Sequence, residues 1–278
     1  MVFAKLFADI AKIWAKYRSS YLAGVKNTIV LAFIGTVLGC LIGFVCGILQ
    51  TIPVNKNDNP LKKGVVYLIR ALIRIYVELF RGTPMVLQAV FAYYGLPYFT
   101  NGAMNFSSSW VCAVVVVSIN TGAYMAETVR GGILSIDRGQ TEGAKAIGMS
   151  HFQTMMYVIL PQTLRNILPQ IGNNYIINIK DTSVMFIISF TELFAAHRAV
   201  TGATYQYFPS AVIEMIAYLC LTLTASVLLR LWEKKLAGKS SYELAAADQL
   251  SPTAGTLNSP LKGSNYDENH IETKGGEE

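Results

Sequence analysis

Read from its N-terminus, the chain alternates long uncharged apolar stretches with shorter basic ones. No charged residue falls between Lys26 and Lys56, and Thr28–Gln50 is predominantly apolar. That is enough for the roughly 20 residues a helix needs to cross a bilayer. From Gly82 through Ala126 charge is absent again. This stretch is too long for one span and fits two, with the polar cluster Asn101, Gly102, Asn105 and Ser107–Ser109 supplying the turn. The pattern predicts spans at about 84–99 and 110–129. A fourth at about 166–190 is interrupted by Lys180–Asp181, and a fifth runs from about Ser210 to Leu229, with Glu214 near its start. The expected fold class is an all-α integral membrane protein with about five transmembrane helices.

Shorter features refine this outline. Gly35, Gly39, Gly43 and Gly47 recur at every fourth residue of the first span, a flat stripe against which a second helix can pack closely. Residues 51–63 read as a polar, proline-bounded loop. The helix expected at Gly64–Phe80 carries Arg70, Arg74 and Glu78 on one face, so it lies at the interface or lines a wet surface. Residues 1–21 place Phe3, Leu6, Phe7, Ile10, Ile13, Trp14 and Tyr17 at helical spacing among four cations. They predict a separate amphipathic helix lying on the outer surface. Residues 130–165 hold Arg130, Asp137, Arg138, Glu142, Lys145, His151 and Arg165, and read as a long water-facing loop.

Composition narrows the function classes. Only 14% of residues are charged, against about 25% in a soluble domain. Residues 1–238 carry about ten more basic than acidic groups, whereas the segment from Lys239 onwards is net acidic. Residues 237–278 are polar and are expected to form a disordered cytoplasmic tail. The cations flank apolar runs, which suits anionic lipid and argues against nucleic acid. Their clusters at 56–81, 130–165 and 230–239 place those segments and the C-terminus in the cytoplasm. Cys40, Cys46, Cys112 and Cys220 sit in apolar runs without metal-ligand or disulfide spacing. His151, His197 and His270 are scattered, and no phosphate-binding loop ending in Gly-Lys-Ser/Thr occurs. The chain is therefore not expected to be an enzyme or to hold a metal or cofactor.

Within the long loop, Glu142-Gly143-Ala144-x-x-x-Gly148 is followed after nine residues by Val158-x-Leu160-Pro161. This resembles the signature of the permease subunits of ATP-binding-cassette importers, departing from it mildly at Gly143 and Val158. Glu78-Leu79-Phe80-Arg81-Gly82-Thr83-Pro84, the Tyr124–Gly132 segment and Lys180-Asp181-Thr182-Ser183 look like the polar amino-acid branch. The resemblance covers about residues 22–236. It implies a cytoplasmic coupling helix between spans three and four, with Glu142, Gly143, Ala144, Gly148, Leu160 and Pro161 docking on the ATPase. It also implies ATPase subunits that bind ATP and magnesium, an extracytoplasmic solute-binding protein, a second permease copy or sister permease, and a place in the bacterial cytoplasmic (inner) membrane.

A carboxylate deep in a span is costly unless paired or wet, which marks Asp181, compensated either by Lys180 or Arg81 as an ion-pair partner or by the ammonium of a substrate. Thr182, Gln88, Asn120 and Glu78 complete the candidate substrate pathway. Glu127 is expected to pair with Arg130, one turn away, and Glu78 with Arg74. The rival reading is an ion-coupled secondary transporter. Such proteins show paired broken helices, of which the sequence offers only the one near Lys180–Asp181.

Overall fold

The glycine stripe decides how the two central helices meet. In the computed structural model, which describes residues 2–54 and 58–237, every regular element is helical. Helix α1 (Val2–Thr51) lies along α5 (Ser109–Leu134). Gly35 faces Val117, Gly39 faces Thr121, Gly43 faces Met125 and Gly47 faces Val129. A Cβ at Gly43 would sit 2.8 Å from the Met125 backbone carbonyl carbon and 2.9 Å from the Ala126 nitrogen, so only glycine allows this approach. Both numbers rise together along the seam, so α1 and α5 run parallel. The stripe is the packing face that its spacing predicts.

The other elements are α2 (Pro60–Gly82), the short α3 (Met85–Val90) and α4 (Leu96–Phe99), α6 (Arg138–Ala146) and α7 (His151–Thr154). They are followed by α8 (Leu160–Asp181), α9 (Leu193–Thr204) and α10 (Tyr207–Ala237). A π turn (Phe91–Gly95) joins α3 to α4, and a second (Met155–Ile159) joins α7 to α8. Both have one cause. Pro97 and Pro161 lack the N–H that continues an α-helix. The residue before each donates one step further back, Leu96 to the Phe91 carbonyl and Leu160 to the Met155 carbonyl.

The structure corrects several expectations. Residues 2–21 are not a separate surface helix. They continue α1 without a break, and Ile13 and Tyr21 are buried against Leu193, Val200 and Ile213. Ile10, Ile13 and Tyr17 of the stripe thus meet protein, whereas Phe3, Phe7 and Trp14 remain exposed. Residues 130–165 are mostly helical rather than an open loop. The fourth apolar stretch tightens after Asp181 into a 3₁₀ turn (Thr182–Ile188), and α9 then sets off at 51° to the helical run that begins at His151. The sequence reading did not separate α9. Among the described residues three helices are long and apolar enough to cross a membrane, Phe3–Thr51, Ser109–Leu134 and Tyr207–Lys235, and the bent pair makes a fourth if it is one span. The helical run within 84–99 is about 22 Å long at 1.5 Å per residue, short of the ~30 Å hydrocarbon layer. Residues 238–278, and with them the expected tail, lie outside the described residues.

Candidate substrate cavity and coupling helix

Chain geometry at the end of α2 builds one wall of a cavity. Thr83 leaves the helix in extended backbone before Pro84, stranding the last carbonyls of α2. Side chains from two other elements satisfy them. The Gln88 Nε2 amide donates to the carbonyls of Phe80 and Thr83, each at 2.9 Å, and the Asn120 Nδ2 amide donates to Phe80 at 3.1 Å. Asn120 also donates to Gln88 Oε1 at 3.1 Å. A proline-ended helix is thereby fixed against the middle of α5.

The opposite wall is one face of α8, where Asn174, Asn178 and Asp181 follow at i, i+4 and i+7. Asn178, 5% exposed, donates to Thr36 Oγ1 at 2.8 Å and Thr121 Oγ1 at 3.0 Å, tying α1, α5 and α8 together. Between the walls lies an open cavity of about 550 Å3, lined among others by Arg81, Thr83, Asn120, Tyr124, Asn174 and Asp181.

Of the candidate pathway residues, Asp181 and Asn120 line this cavity. Gln88 stands behind Asn120 as part of the α2 cap. Thr182 is fully buried and donates to the Ile179 carbonyl at 3.0 Å, closing the turn after α8. Glu78 faces a second cavity of about 370 Å3 that also contains Arg70, Arg74, Glu127 and Arg130.

Two expected ion pairs are replaced. Arg81 pairs with Glu127, not with Asp181, and so Glu127 does not pair with Arg130. The Arg81 guanidinium also lies over the Tyr124 ring at 5.3 Å. No salt bridge joins Glu78 to Arg74, and none reaches Asp181, among the described residues. Sequence reasoning missed Asn174 and Asn178, although their helical spacing to Asp181 was available. It had no means of finding Tyr124 or the Arg81–Glu127 contact, which joins residues on separate helices.

The second region is α6 and its flanks, built almost wholly by local chemistry. Asp137 caps the N-terminus by accepting from Gly139 N at 2.7 Å. At the other end Gly148 N donates to the Lys145 carbonyl at 3.0 Å and Met149 N to Ala144 at 3.1 Å. These are the paired bonds of a Schellman ending, which needs a left-handed residue after the cap. Gly148 supplies it with φ +84°. Ser150 and Gln153 then form a reciprocal capping box that starts α7. Ala144 is buried towards the body, whereas Glu142, Gly143 and Ile147 face outward, and Phe152 and Tyr157 extend the exposed patch. Leu160 is half-buried and Pro161 exposed at the start of α8.

Such a helical body, with an exposed capped helix between two long helices, is the arrangement of a transporter membrane subunit. Residues 64–238 match the family described as binding-protein-dependent transport system inner membrane component. The glutamine transport system permease protein GlnP of Escherichia coli (strain K12) is 33% identical over 213 residues, covering 77% of this chain and 91% of that protein. The nopaline transport system permease protein NocM of Agrobacterium fabrum (strain C58) is 33% identical over 222 residues, covering 76% and 86%. A crystal structure described as an amino acid ABC transporter with histidines superposes with a TM-score of 0.68 at 32% identity, covering 80% of this chain and 96% of that one. A chain of the MetNI methionine ABC transporter, 18% identical with a TM-score of 0.63, shares the fold. The chain belongs to the binding-protein-dependent transport system inner membrane component family. It is a permease subunit of an ATP-driven importer.

Proposed function

We propose that the chain carries a polar amino acid inward across the bacterial cytoplasmic membrane, that the cavity between α2, α5 and α8 is its substrate site, and that α6 couples it to the ATPase. The site rests on one observation. The Asp181 carboxylate lines the larger cavity with no ion-pair partner among the described residues, although Lys180 is its neighbour in sequence. Adjacent residues on a helix point about 100° apart, and Lys180 is exposed elsewhere. A carboxylate at this depth asks for a cation, and the α-ammonium of an amino acid is one. Asn120, Asn174 and Thr83 offer neutral hydrogen-bonding groups around it. Glutamine and nopaline relatives and the amino acid transporter structure support this substrate class.

Five crossings are favoured by direction. Because α1 and α5 run parallel, residues 52–108 must return across the membrane between them, and α2 with the α3–α4 run supplies that return. The bent α8–α9 run goes back, and α10 makes the last passage. The ends of α1 and α5 then share a side with α6 and with the basic clusters, which makes that side, and the C-terminus, cytoplasmic. Two copies, or this chain and a sister permease, would enclose the pathway, served by ATPase subunits carrying ATP and magnesium and by an extracytoplasmic solute-binding protein.

The test is a screen of amino acids for stimulated ATP hydrolysis by the reconstituted complex. Asp181→Asn is expected to weaken that stimulation while leaving basal hydrolysis and assembly intact. Unchanged stimulation by every amino acid would refute the assignment of the site.

A further inference from the structure

The two cavities follow one another along the same pair of helices. On α2 the smaller is lined by Arg70, Arg74 and Glu78 and the larger by Arg81 onwards; on α5 the smaller is lined by Glu127 and Arg130 and the larger by Asn120 and Tyr124. The larger cavity is thus followed along these helices by the smaller one, which is also lined by Gln50 and Thr51 at the end of α1. Arg81 lines only the larger cavity and Glu127 only the smaller. Their ion pair therefore joins one lining residue of each cavity.

Several features make this ion pair exchangeable. The side chains of Arg81 and Glu127 are 38% and 41% exposed, so neither is locked in the core. The Tyr124 ring lies beside the guanidinium and holds it on the cavity side whichever carboxylate it meets. On the far side, Arg130 stands one turn beyond Glu127 and Arg74 lines the same cavity. Neither has an ion-pair partner among the described residues. A carboxylate leaving Arg81 therefore finds a second guanidinium within the same space.

We propose that the Arg81–Glu127 pair is the inner gate of the pathway and opens by carboxylate exchange. The α-carboxylate of the substrate takes Arg81, and Glu127 turns to Arg130 or Arg74. One carboxylate replaces another, so Arg81 keeps a charge-assisted partner throughout the exchange. The cationic smaller cavity then draws the substrate's anionic end onward. Arg81 becomes a specificity residue as well, because a ligand without a carboxylate cannot displace Glu127. The inference rests on the larger cavity holding an amino acid.

The experiment measures equilibrium binding to the purified permease–ATPase complex in nanodiscs. Its probes are three matched pairs, each an amino acid and its decarboxylated amine: glutamine and 4-aminobutanamide, histidine and histamine, arginine and agmatine. Glu127→Gln removes the competing carboxylate. It is expected to tighten the amino acid of the binding pair about tenfold, the effect of one charge-assisted contact, and to leave the amine unchanged. Arg81→Gln should weaken the amino acid to the level of its amine. The swap Arg81→Glu with Glu127→Arg keeps the pair and so assembly, and should abolish the preference for the carboxylate. A swap that retains that preference, or an amino-acid-to-amine ratio unmoved by Glu127→Gln, overturns the gate. Asp181→Asn in the same assay separates the two readings. If it weakens both members of a pair while the ratio stays fixed in Glu127→Gln, the gate fails and the site stands. If it changes neither, the site fails as well.

Discussion

Adding one methyl group at Gly43 tests the central seam. The new Cβ would lie 2.8 Å from the Met125 carbonyl carbon, about 0.6 Å inside the 3.4 Å at which ordinary contact begins. Both nearby backbone atoms belong to α5, so no rotamer change can relieve the clash and the helices must part locally. A gap of that size forfeits about a quarter to a half of each dispersion contact beside it, and overpacking of a tight core costs about 1–3 kcal/mol. Against this, alanine gains about 1 kcal/mol over glycine in a helix interior. The net loss is about 1 kcal/mol, or a fall of about 2–4 °C in Tm for a chain of this size. Gly64→Ala is the control, since its Cβ meets nothing within 4 Å and should keep the whole propensity gain. Thermal unfolding of the purified variants, followed by tryptophan fluorescence, reads both. A Gly43→Ala protein as stable as Gly64→Ala would refute the close-packed seam.

Three further outcomes follow from local geometry. Gly148→Val places a β-branched residue at φ +84°, a strain of about 1–2 kcal/mol or more. Uptake should fall relative to ATP hydrolysis while membrane insertion stays normal, and normal coupled uptake would count against α6 as the coupling helix. Glu192 is fully buried, caps α9 by accepting from Phe194 N at 2.7 Å and Ala195 N at 2.6 Å, and accepts from the Tyr218 hydroxyl at 2.9 Å. Glu192→Ala should cost about 2–4 kcal/mol in denaturation, combining a lost cap with an orphaned hydroxyl, and Tyr218→Phe should recover part of it. Gln88→Ala unties the end of α2 and should lower Tm without changing which amino acid binds, because Gln88 supports the wall and does not face the cavity.

The sequence made the apolar elements legible because hydrophobicity and glycine spacing are properties of single segments. The glycine face of α1, the α6 turn at Gly148 and the shared face of Arg70, Arg74 and Glu78 were all readable in that way. Pairing between segments was not. Arg81 had Asp181 and Glu127 as partners of equal chemical merit, and only the approach of α2 to α5 selects Glu127. The first 21 residues misled for a related reason. Spacing does not say what covers an apolar stripe: Leu193, Val200 and Ile213 cover Ile10, Ile13 and Tyr17, while Phe3, Phe7 and Trp14 stay exposed. Gln88 and Thr182 were marked by depth alone, which does not tell a residue facing a cavity from one closing a helix end.

The register between α1 and α5 also sets a clock. Each glycine and its partner, from Gly35 with Val117 to Gly47 with Val129, stand 82 positions apart in the chain. At about 5–20 residues per second of synthesis, the glycine face of α1 emerges some 4–16 s before the surface that will cover it. For that interval the stripe has no partner from its own chain, while α2, α3 and α4 are still being made. Assembly of the permease is thus ordered by translation, and slowing the ribosome within residues 52–108 should prolong the window in which α1 can be lost to a wrong partner.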